Sequence, residues 1–505
     1  MENGRLPRGI PEEAGVSSAG ILAFLDEVER RELELHGFML IRHGLVIAEG
    51  WWAPYGPEIP HAVYSVTKSF VSSAVGLAVE DGLVSVDDPV AKFFPEAEEA
   101  EAWRRAGAEL KVRHLLCMAT GHTENTSRNR IEHSFLRTKY IMRIGNRPDG
   151  DWVRAFFDAP PQKAPGSHFV YNNGASHLLA QIVERVTGQN VLDYLYPRLL
   201  LPLGIGRPEW DRCPRGNFVG AWGMRLRTED MARFGLLWLQ KGLWRGKRIL
   251  PEWWVEEASS RHIATNTGGE DPEQSDYFQG YGYQFWRGRH NTYRADGAHG
   301  QFCIVMPDQD AVVAIHSGAA DWRPQAVMDA VWRHLLPAMR EGELPPDVAS
   351  QMLVRRLGSL EIGGGSAGVG TGSDGAGIGT ADGRSRPLAA VHAGTVKRYR
   401  LEPNDLQVEE IAFDFRETGC RITWTGEDGM HALECGIGGW NHGNELDGEV
   451  AAAKIRWRDD HTFVVDVCRV NTPFHENLTC RLESDRIRLV HRDLLKETRL
   501  TGSAV

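Results

Sequence analysis

A glycine-rich stretch over residues 363–383 limits how this chain can fold. It reads GGGSAGVGTGSDGAGIGTADG and contains almost no large apolar side chain. Such a run cannot bury apolar surface and is typical of a flexible linker. The chain is therefore expected to fold as separate units on either side of it. We predict a large unit over 1–345, a linker over 346–388 and a smaller unit over 389–505.

Length and composition are those of a soluble protein with more than one domain. A chain of 505 residues is too long for one ordinary hydrophobic core. Its 42% hydrophobic and 25% charged content is typical of globular proteins. The net charge of −11 argues against nucleic acid and anionic membranes as partners. No apolar run is long enough to predict a membrane span.

The N-terminus and the cysteines predict a cytoplasmic protein. The first residues contain no apolar segment of the kind found in a secretory signal. The cysteine count is odd and lacks Cys-x-x-Cys spacing, which favours reduced, buried thiols. The histidines also lack the spacing of metal ligands, so we predict neither a metal nor another cofactor. The seven cysteines are Cys117, Cys213, Cys303, Cys420, Cys435, Cys468 and Cys480.

The first unit has predicted strands at both ends and helices between them. Phe38–Arg42 and Leu45–Ala48 form a predicted hairpin, and a second strand pair covers 300–307 and 311–316. This order predicts an α+β fold, with one antiparallel sheet flanked by helices and an additional all-helical region. The predicted helices cover about 18–32, 65–81, 174–187, 228–241 and 324–340.

The second unit is predicted to be all-β. Its strand-like runs are short, alternate between apolar and polar residues, and are separated by turns, as in a small antiparallel barrel or sandwich. The runs lie at 406–415, 420–425, 431–435, 454–458, 461–469, 477–483 and 486–491.

The first candidate for chemistry is Ser65-Val-Thr-Lys68, at the start of a predicted helix. Positions i and i+3 share one face of a helix, so the lysine amine can reach the serine hydroxyl. A lysine can activate a serine in this way without a histidine. By itself the motif is weak, because Ser-x-x-Lys occurs by chance about once in a chain of this size.

Two further segments are candidates for the same site. In Tyr171-Asn172-Asn173, the first and third side chains of an extended segment point the same way and can face one cleft. In Gly297-Ala298-His299-Gly300, small residues before a strand can bring backbone N–H groups close to a ligand. A surface turn and an ordinary hairpin turn, respectively, are the structural alternatives.

The order of these motifs resembles that of the serine β-lactamase and penicillin-binding-protein superfamily. It is most similar to the class C-like branch, which includes esterases, D-aminopeptidases and 6-aminohexanoate-dimer hydrolases. Residues 112–121 and 220–235 also resemble family segments, and the resemblance runs from about residue 10 to about residue 340. Residues 389–505 resemble the small lipocalin-like β-barrel domain appended to many of these hydrolases.

The resemblance implies a role for each matching position. Ser65 would be the nucleophile, with Lys68 and Tyr171 as general base and proton relay. Asn173 would hold the lysine and polar atoms of the substrate. The Ser65 N–H and a backbone N–H near Ala298 would form the oxyanion hole. A lysine with an ordinary pKa of ~10.4 cannot accept the serine proton, so its surroundings must depress that pKa.

The chain also departs from the family pattern. Typical β-lactamases carry Lys-Thr-Gly on the last strand of the site, and here Ala298-His299-Gly300 stands in that place. The cation that binds the carboxylate of a β-lactam is therefore missing, and efficient β-lactamase activity is not expected. His299 is either a partial substitute for that cation or a spacer.

These observations predict a serine hydrolase that cleaves a small ester or amide through an acyl-enzyme on Ser65. Its expected partner is the small-molecule substrate, and a homo-oligomer is compatible with the sequence. Two alternatives remain open. One is an acyltransferase that uses the same acyl-enzyme, and the other is a catalytically silent ligand-binding protein on the same fold.

Overall fold

The computed structural model separates the chain into two compact units. One unit comprises residues 1–51, 57–130 and 141–359, and the other comprises 52–56, 131–140 and 360–505. The glycine-rich run over 363–383 lies outside the described residues, whereas residues 348–357, which the sequence analysis placed in the linker, form a helix. The described residues are 4–95, 103, 109–132, 135–136, 139–265, 271–320, 323–345, 348–362, 393–426, 429–446, 448–493 and 496–505.

The core of the first unit is a six-stranded antiparallel sheet with the order β2-β1-β12-β11-β10-β9. Its early and late strands pair directly, with Phe38 opposite Ile315. The first twelve strands of the chain are β1 (Leu35–Arg42), β2 (Leu45–Trp51), β3 (His61–Ala62), β4 (Ser127–Glu132), β5 (Lys139–Ile144), β6 (Arg225–Leu226), β7 (Leu243–Trp244), β8 (Lys247–Arg248), β9 (Trp286–Arg287), β10 (Tyr293–Gly297), β11 (Gln301–Met306) and β12 (Ala311–Ser317).

Helices cover both faces of this sheet. The α-helices are α1 (Ser18–Arg30), α2 (Thr67–Glu80), α3 (Val112–Leu116), α4 (Trp152–Phe157), α5 (Asn173–Thr187), α6 (Val191–Leu195), α7 (Leu201–Leu203), α8 (Thr228–Leu239), α9 (Glu252–Ser259), α10 (Pro324–Ala330), α11 (Leu336–Ala338) and α12 (Val348–Leu357). Short 3-10 helices lie at Tyr64–Val66, Val90–Phe93, Pro272–Gln274, Asp276–Phe278 and Pro307–Gln309, and π-helical turns at Tyr196–Leu200 and Val331–Leu335.

Burial on both faces explains the apolar character of the central strands. Every residue of β1, β11 and β12 is buried. Helix α8 packs against β11 and β12, and Phe24 of α1 contacts Phe38 of β1 with ring centroids 5.1 Å apart. The α+β plan predicted from the sequence is confirmed.

Helix α2 carries the Ser-x-x-Lys motif into the interior of the first unit. Eleven of its 14 residues are buried. Phe70 stacks on Phe234 with centroids 3.9 Å apart, and Gly76 lies so close to Trp254 that an added Cβ would sit 2.4 Å from the indole Nε1. The helix ends before Gly82, which has φ +72° and forms the left-handed turn that often follows a helix.

The second unit is a barrel of ten strands, as the sequence predicted for its class. The strand order is β16-β15-β14-β13-β22-β21-β20-β19-β18-β17, and a parallel pairing of β16 with β18 closes the sheet. The strands are β13 (Thr395–Leu401), β14 (Val408–Phe415), β15 (Gly419–Gly426), β16 (Gly429–Ile437), β17 (Asn441–Leu446), β18 (Glu449–Trp457), β19 (Thr462–Arg469), β20 (His475–Leu482), β21 (Arg486–Arg492) and β22 (Glu497–Ala504).

Three of these strands were not predicted, namely β13, β17 and β22. Each is rich in polar residues, and most of its side chains are at least partly exposed. Their apolar alternation is therefore too weak to identify them in the sequence. The interior of the barrel is filled by apolar side chains, which include Phe135 and Leu136 from the segment 131–140.

Two further structural findings concern cysteines and membrane spans. All seven cysteines are thiols outside any disulfide, and all are buried. Within the part of the chain that the structure describes, every helix is too short or too polar to cross a membrane.

Candidate active site

Ser65 lies in a strained turn directly before helix α2. The turn is the 3-10 helix Tyr64–Val66, and Tyr64 has φ +46°, in the left-handed region that side-chain-bearing residues rarely adopt. Such a conformation costs about 1–3 kcal/mol and persists only where the surrounding structure imposes it. Tyr64 and Val66 are buried, whereas Ser65 is partly exposed. The turn therefore presents the serine hydroxyl from a rigid support.

Lys68 is buried next to this hydroxyl. Its side chain follows Ser65 by three residues on the same face of the helical segment, and Nζ lies 2.9 Å from Ser65 Oγ. Nζ also donates to Asn173 Oδ1 at 2.8 Å and to the Ala221 carbonyl at 2.7 Å. The amine is thus held in one position by three oxygen atoms from separate segments.

The electrostatic surroundings of Lys68 disfavour its charge. Lys68 is only 1% exposed. Burial lowers the pKa of Lys68 well below its ordinary value of 10.5, and the carboxylate of Asp296 opposes this shift. The three oxygens that contact Nζ belong to neutral groups. Desolvation therefore dominates, which is the condition that a lysine base requires.

Tyr171 completes the group around the serine. Its side chain hydrogen-bonds to that of Ser65. Burial raises the pKa of Tyr171 above its ordinary value of 10.0, so the phenol keeps its proton at neutral pH. Lys68 Nζ lies 4.9 Å from the centroid of its ring, and the ring stacks on Trp286 with centroids 5.8 Å apart.

Asn173 is oriented by residues that the sequence analysis did not identify. It is the first residue of α5, and Nδ2 of its side chain donates to Ser127 Oγ at 2.9 Å. Its backbone N–H donates to Asn125 Oδ1 at 3.0 Å. Because Nδ2 is engaged by Ser127, Oδ1 faces Lys68. Asn172 serves as the N-cap of α5 and accepts from the Gly174 N–H at 2.9 Å.

The segment around Ala221 is held by close packing against α5. Gly220 lies so near this helix that an added Cβ would sit 2.2 Å from the Ser176 carbonyl. The Gly220 N–H also donates to Nδ1 of His177 at 3.5 Å, and burial lowers the pKa of this histidine to about 4. Ala221 lies in one of the segments that resembled the family, but its carbonyl has no side-chain signature that could have identified it.

The turn Gly297–Gly300 lies beside the serine turn. An added Cβ at Gly297 would sit 2.2 Å from the Val63 carbonyl, so only glycine allows this approach. His299 has φ +64° and its ring contacts the edge of Tyr64 with centroids 5.4 Å apart. The structure thus brings all the predicted site residues to one place in the first unit.

A buried ion pair at the end of β10 was also missed by the sequence analysis. Arg294 Nε lies 2.8 Å from Asp296 Oδ2, and the two side chains are 2% and 10% exposed. Burial raises the pKa of Asp296, and the guanidinium of Arg294 opposes that shift. The pair precedes Gly297 directly, but nothing in the sequence shows that both residues are buried.

Comparison with known proteins identifies the family. The family model described as Beta-lactamase matches residues 25–336, more than half of the chain, and the chain belongs to this family of hydrolases. A 6-aminohexanoate-dimer hydrolase from Paenarthrobacter ureafaciens is 26% identical over 320 residues, which cover 60% of this chain and 78% of that protein.

Two other similar proteins have lower coverage or lower identity. A lovastatin esterase from Penicillium rubens is 27% identical over 154 residues, which cover 28% of this chain and 37% of the esterase. A crystal structure of a penicillin-binding protein homolog from Caulobacter crescentus aligns with a TM-score of 0.49 at 17% identity, covering 65% of this chain and 99% of that one.

Proposed function

We propose that this protein is a serine hydrolase that cleaves a small ester or amide through an acyl-enzyme on Ser65. The observation that carries the proposal is the position of Lys68. Lys68 is 1% exposed, and its amine lies 2.9 Å from Ser65 Oγ and otherwise donates to two neutral carbonyl oxygens. We assign the reaction to the proposed domain 1–345. We assign no catalytic role to the proposed domain 389–505.

The neutral form of Lys68 has the hydrogen-bonding capacity that a base needs here. A neutral amine has two N–H donors and one lone pair. The Asn173 side-chain carbonyl and the Ala221 carbonyl can only accept, so they take the two N–H groups. The lone pair then faces Ser65 Oγ and can receive its proton as the oxygen attacks the substrate carbonyl.

The attack forms a bond between Ser65 Oγ and the carbonyl carbon and moves charge onto the carbonyl oxygen. We assign the stabilisation of this oxyanion to the N–H of Ser65 and the N–H of Ala298, the second residue of the turn beside it. One such donor typically contributes about 3–4 kcal/mol to the transition state.

Collapse of the intermediate breaks the bond to the leaving group, which needs a proton. Tyr171 hydrogen-bonds to Ser65 and its phenol remains protonated at neutral pH, so it can pass a proton from Lys68 to the leaving group. A water molecule then attacks the acyl-enzyme with the same groups acting in reverse. The products are the free acid and the alcohol or amine.

The relatives support esters and amides as the class of substrate. One relative is named a 6-aminohexanoate-dimer hydrolase and the other a lovastatin esterase. Asp296, the charged residue directly before Gly297, is paired with the buried Arg294, and Ala298-His299-Gly300 stands where β-lactamases carry Lys-Thr-Gly. We therefore propose small esters and amides as substrates and not β-lactams.

Covalent labelling tests the proposal. The protein is treated with a fluorophosphonate or a nitrophenyl ester, and the modified residue is located by mass spectrometry. We expect one adduct on Ser65 and none in Ser65→Ala. A folded wild-type protein that leaves Ser65 unmodified would contradict the proposed chemistry. Faster turnover after addition of an alcohol or amine acceptor would identify an acyltransferase, and a nitrocefin assay tests the exclusion of β-lactams.

A further inference from the structure

Gln301 is a buried polar residue that directly follows the turn Gly297–Gly300. It is the first residue of β11, is 0% exposed, and lies opposite Gly297 in the pairing of β10 with β11. A fully buried amide must hydrogen-bond within the protein, because an unsatisfied one costs about 1–3 kcal/mol. Its partners therefore show what the side chain does.

The side-chain amino group of Gln301 contacts backbone carbonyls of the turn. Nε2 donates to the Ser317 carbonyl at 2.6 Å. It also lies 3.3 Å from the Ala298 carbonyl and 3.4 Å from the His299 carbonyl. An amide has two N–H groups, so one is directed to Ser317 and the other is shared between the two carbonyls of the turn.

Neighbouring donors determine which end of the amide faces the turn. Oε1 of Gln301 accepts from the Ser317 N–H at 3.4 Å, and a backbone N–H can only donate. His316 Nδ1 lies 3.2 Å from the same oxygen. Burial lowers the pKa of His316 to about 3, so its ring is neutral and donates from Nδ1. In the opposite orientation, the amino group of Gln301 would face the N–H donors of Ser317 and His316.

Strand β12 and the residues after it support the same turn. The Ala319 N–H donates to the His299 carbonyl at 3.0 Å, and Ser317 Oγ donates to the Glu34 carbonyl at 2.7 Å. Gly300 has φ +83°, and an added Cβ there would lie 3.0 Å from Ser317 Oγ. The backbone on both sides of Ala298 is thus fixed, by strand pairing at Gly297 and by Gln301 at the Ala298 carbonyl.

We infer that Gln301 is a positioning residue for the oxyanion hole. Its amide fixes the Ala298 carbonyl, and together with the strand pairing at Gly297 this sets the backbone conformation of Ala298 so that the Ala298 N–H faces the reacting carbonyl. This inference rests on the proposed function. Gln301 itself touches no reacting atom. Its contribution appears only in the transition state, because a small displacement of an oxyanion donor weakens the stabilisation of the developing charge.

The test compares Gln301→Glu with Gln181→Glu, a matched buried glutamine in α5. Gln181 is 5% exposed, and its Oε1 accepts from Asn217 Nδ2 at 2.9 Å. A carboxylate at position 301 cannot donate to the turn carbonyls and repels them. We expect kcat of Gln301→Glu to fall by about 100-fold with little change in KM, and the Gln181→Glu variant to retain wild-type kcat.

A pH series separates positioning from simple destabilisation. When the carboxyl group introduced at position 301 is protonated, it regains one donor, so the activity of Gln301→Glu relative to wild type should rise as the pH falls. The affinity for a boronic acid, which forms a tetrahedral adduct with the serine, should fall in parallel with kcat. If Gln301→Glu does not fold, Gln301→Met is measured instead, because it keeps the length of the side chain without donors or charge.

The outcomes distinguish this inference from the proposed function. Unchanged kcat and boronate affinity in folded Gln301 variants would overturn the positioning role, while labelling of Ser65 in the wild type would leave the proposed hydrolase intact. A wild-type protein whose Ser65 resists both probes would overturn the proposed function itself.

Discussion

Two buried lysines in this protein have opposite electrostatic surroundings. In the first unit, Lys68 contacts a hydroxyl, a side-chain amide and a backbone carbonyl, all of them neutral. In the second unit, Lys454 is 9% exposed at its side chain and lies 2.6 Å from the Glu361 carboxylate. A buried ammonium beside a carboxylate remains charged, whereas one among neutral acceptors is driven to release its proton.

The barrel contains a second example of the paired arrangement. Arg469 and Glu476 have side chains that are 6% and 2% exposed and lie 2.5 Å apart. Lys454 additionally lies 4.5 Å from the ring centroid of Trp440. The difference between Lys68 and Lys454 indicates that burial alone does not make a lysine reactive. The charge of its closest partners decides whether it is a structural cation or a base.

The largest difference is expected from replacing each lysine by methionine. Lys68→Met should lower kcat/KM by about 10²–10⁴-fold, because the general base is lost. Lys454→Met should retain the activity and lower the free energy of unfolding by about 1–3 kcal/mol, since it removes a charge-assisted hydrogen bond. Steady-state kinetics and urea unfolding measure both. Equal losses of activity in the two variants would show that Lys68 has no special role.

Asn173→Asp should convert the surroundings of Lys68 into those of Lys454. A carboxylate in place of the amide oxygen that contacts Nζ favours the ammonium and raises the pKa of the lysine. We expect kcat/KM at neutral pH to fall by about 10²-fold and to recover as the pH is raised. Asn173→Ala is the control, since it removes the contact without adding charge and should show no such recovery.

The pH profile of the wild type should have an acidic limb that belongs to Lys68. Activity requires the neutral amine, so kcat/KM should fall as the pH drops through the lowered pKa of Lys68. The Asp296 carboxylate favours the ammonium, so Asp296→Asn should move this limb to lower pH. Glu361→Gln, near Lys454, is the matched control and should leave the profile unchanged. A limb that moves to higher pH in Asp296→Asn would contradict this assignment.

The smallest expected effect is on stability. Between the lowered pKa of Lys68 in the folded state and its ordinary value in the unfolded state, the unfolded chain binds more protons. Stability conferred through Lys68 therefore rises with pH in that window, by at most about 1.4 kcal/mol per pH unit. Relative to Lys68→Met, the wild type should gain stability from neutral to alkaline pH in urea unfolding. A difference that stays constant with pH would show that Lys68 is charged in the folded protein.

Much of the fold and part of the site could be predicted from local patterns. The helix at Thr67–Glu80, the antiparallel sheet and the barrel class follow from apolar periodicity and turn residues. Strands β13, β17 and β22 could not be predicted in this way, because their many polar side chains leave little alternation between apolar and polar residues. Four members of the site cluster, Ser65, Lys68, Tyr171 and Asn173, lie in short motifs that could be recognised in order.

The remaining parts of the site could not be predicted because they act through the backbone or through distant segments. Ala221 contributes only a carbonyl, which any residue could supply. Ser127 orients the side chain of Asn173, which lies 46 residues further along the chain. Gln301 contacts Ser317, which lies on the neighbouring strand. Such contacts depend on where the fold brings two segments together.

Residue spacing alone shows that the Lys68 amine can reach the hydroxyl of Ser65, because residues three apart share one face of a helix. The protonation state of that amine depends on how the fold packs around it. Helix α2 is enclosed on nearly all sides, so Lys68 loses its contact with water. The described segments that meet it there place neutral oxygens in direct contact with Nζ. Desolvation that outweighs the attraction of Asp296 is the physical reason that we assign this lysine the role of base.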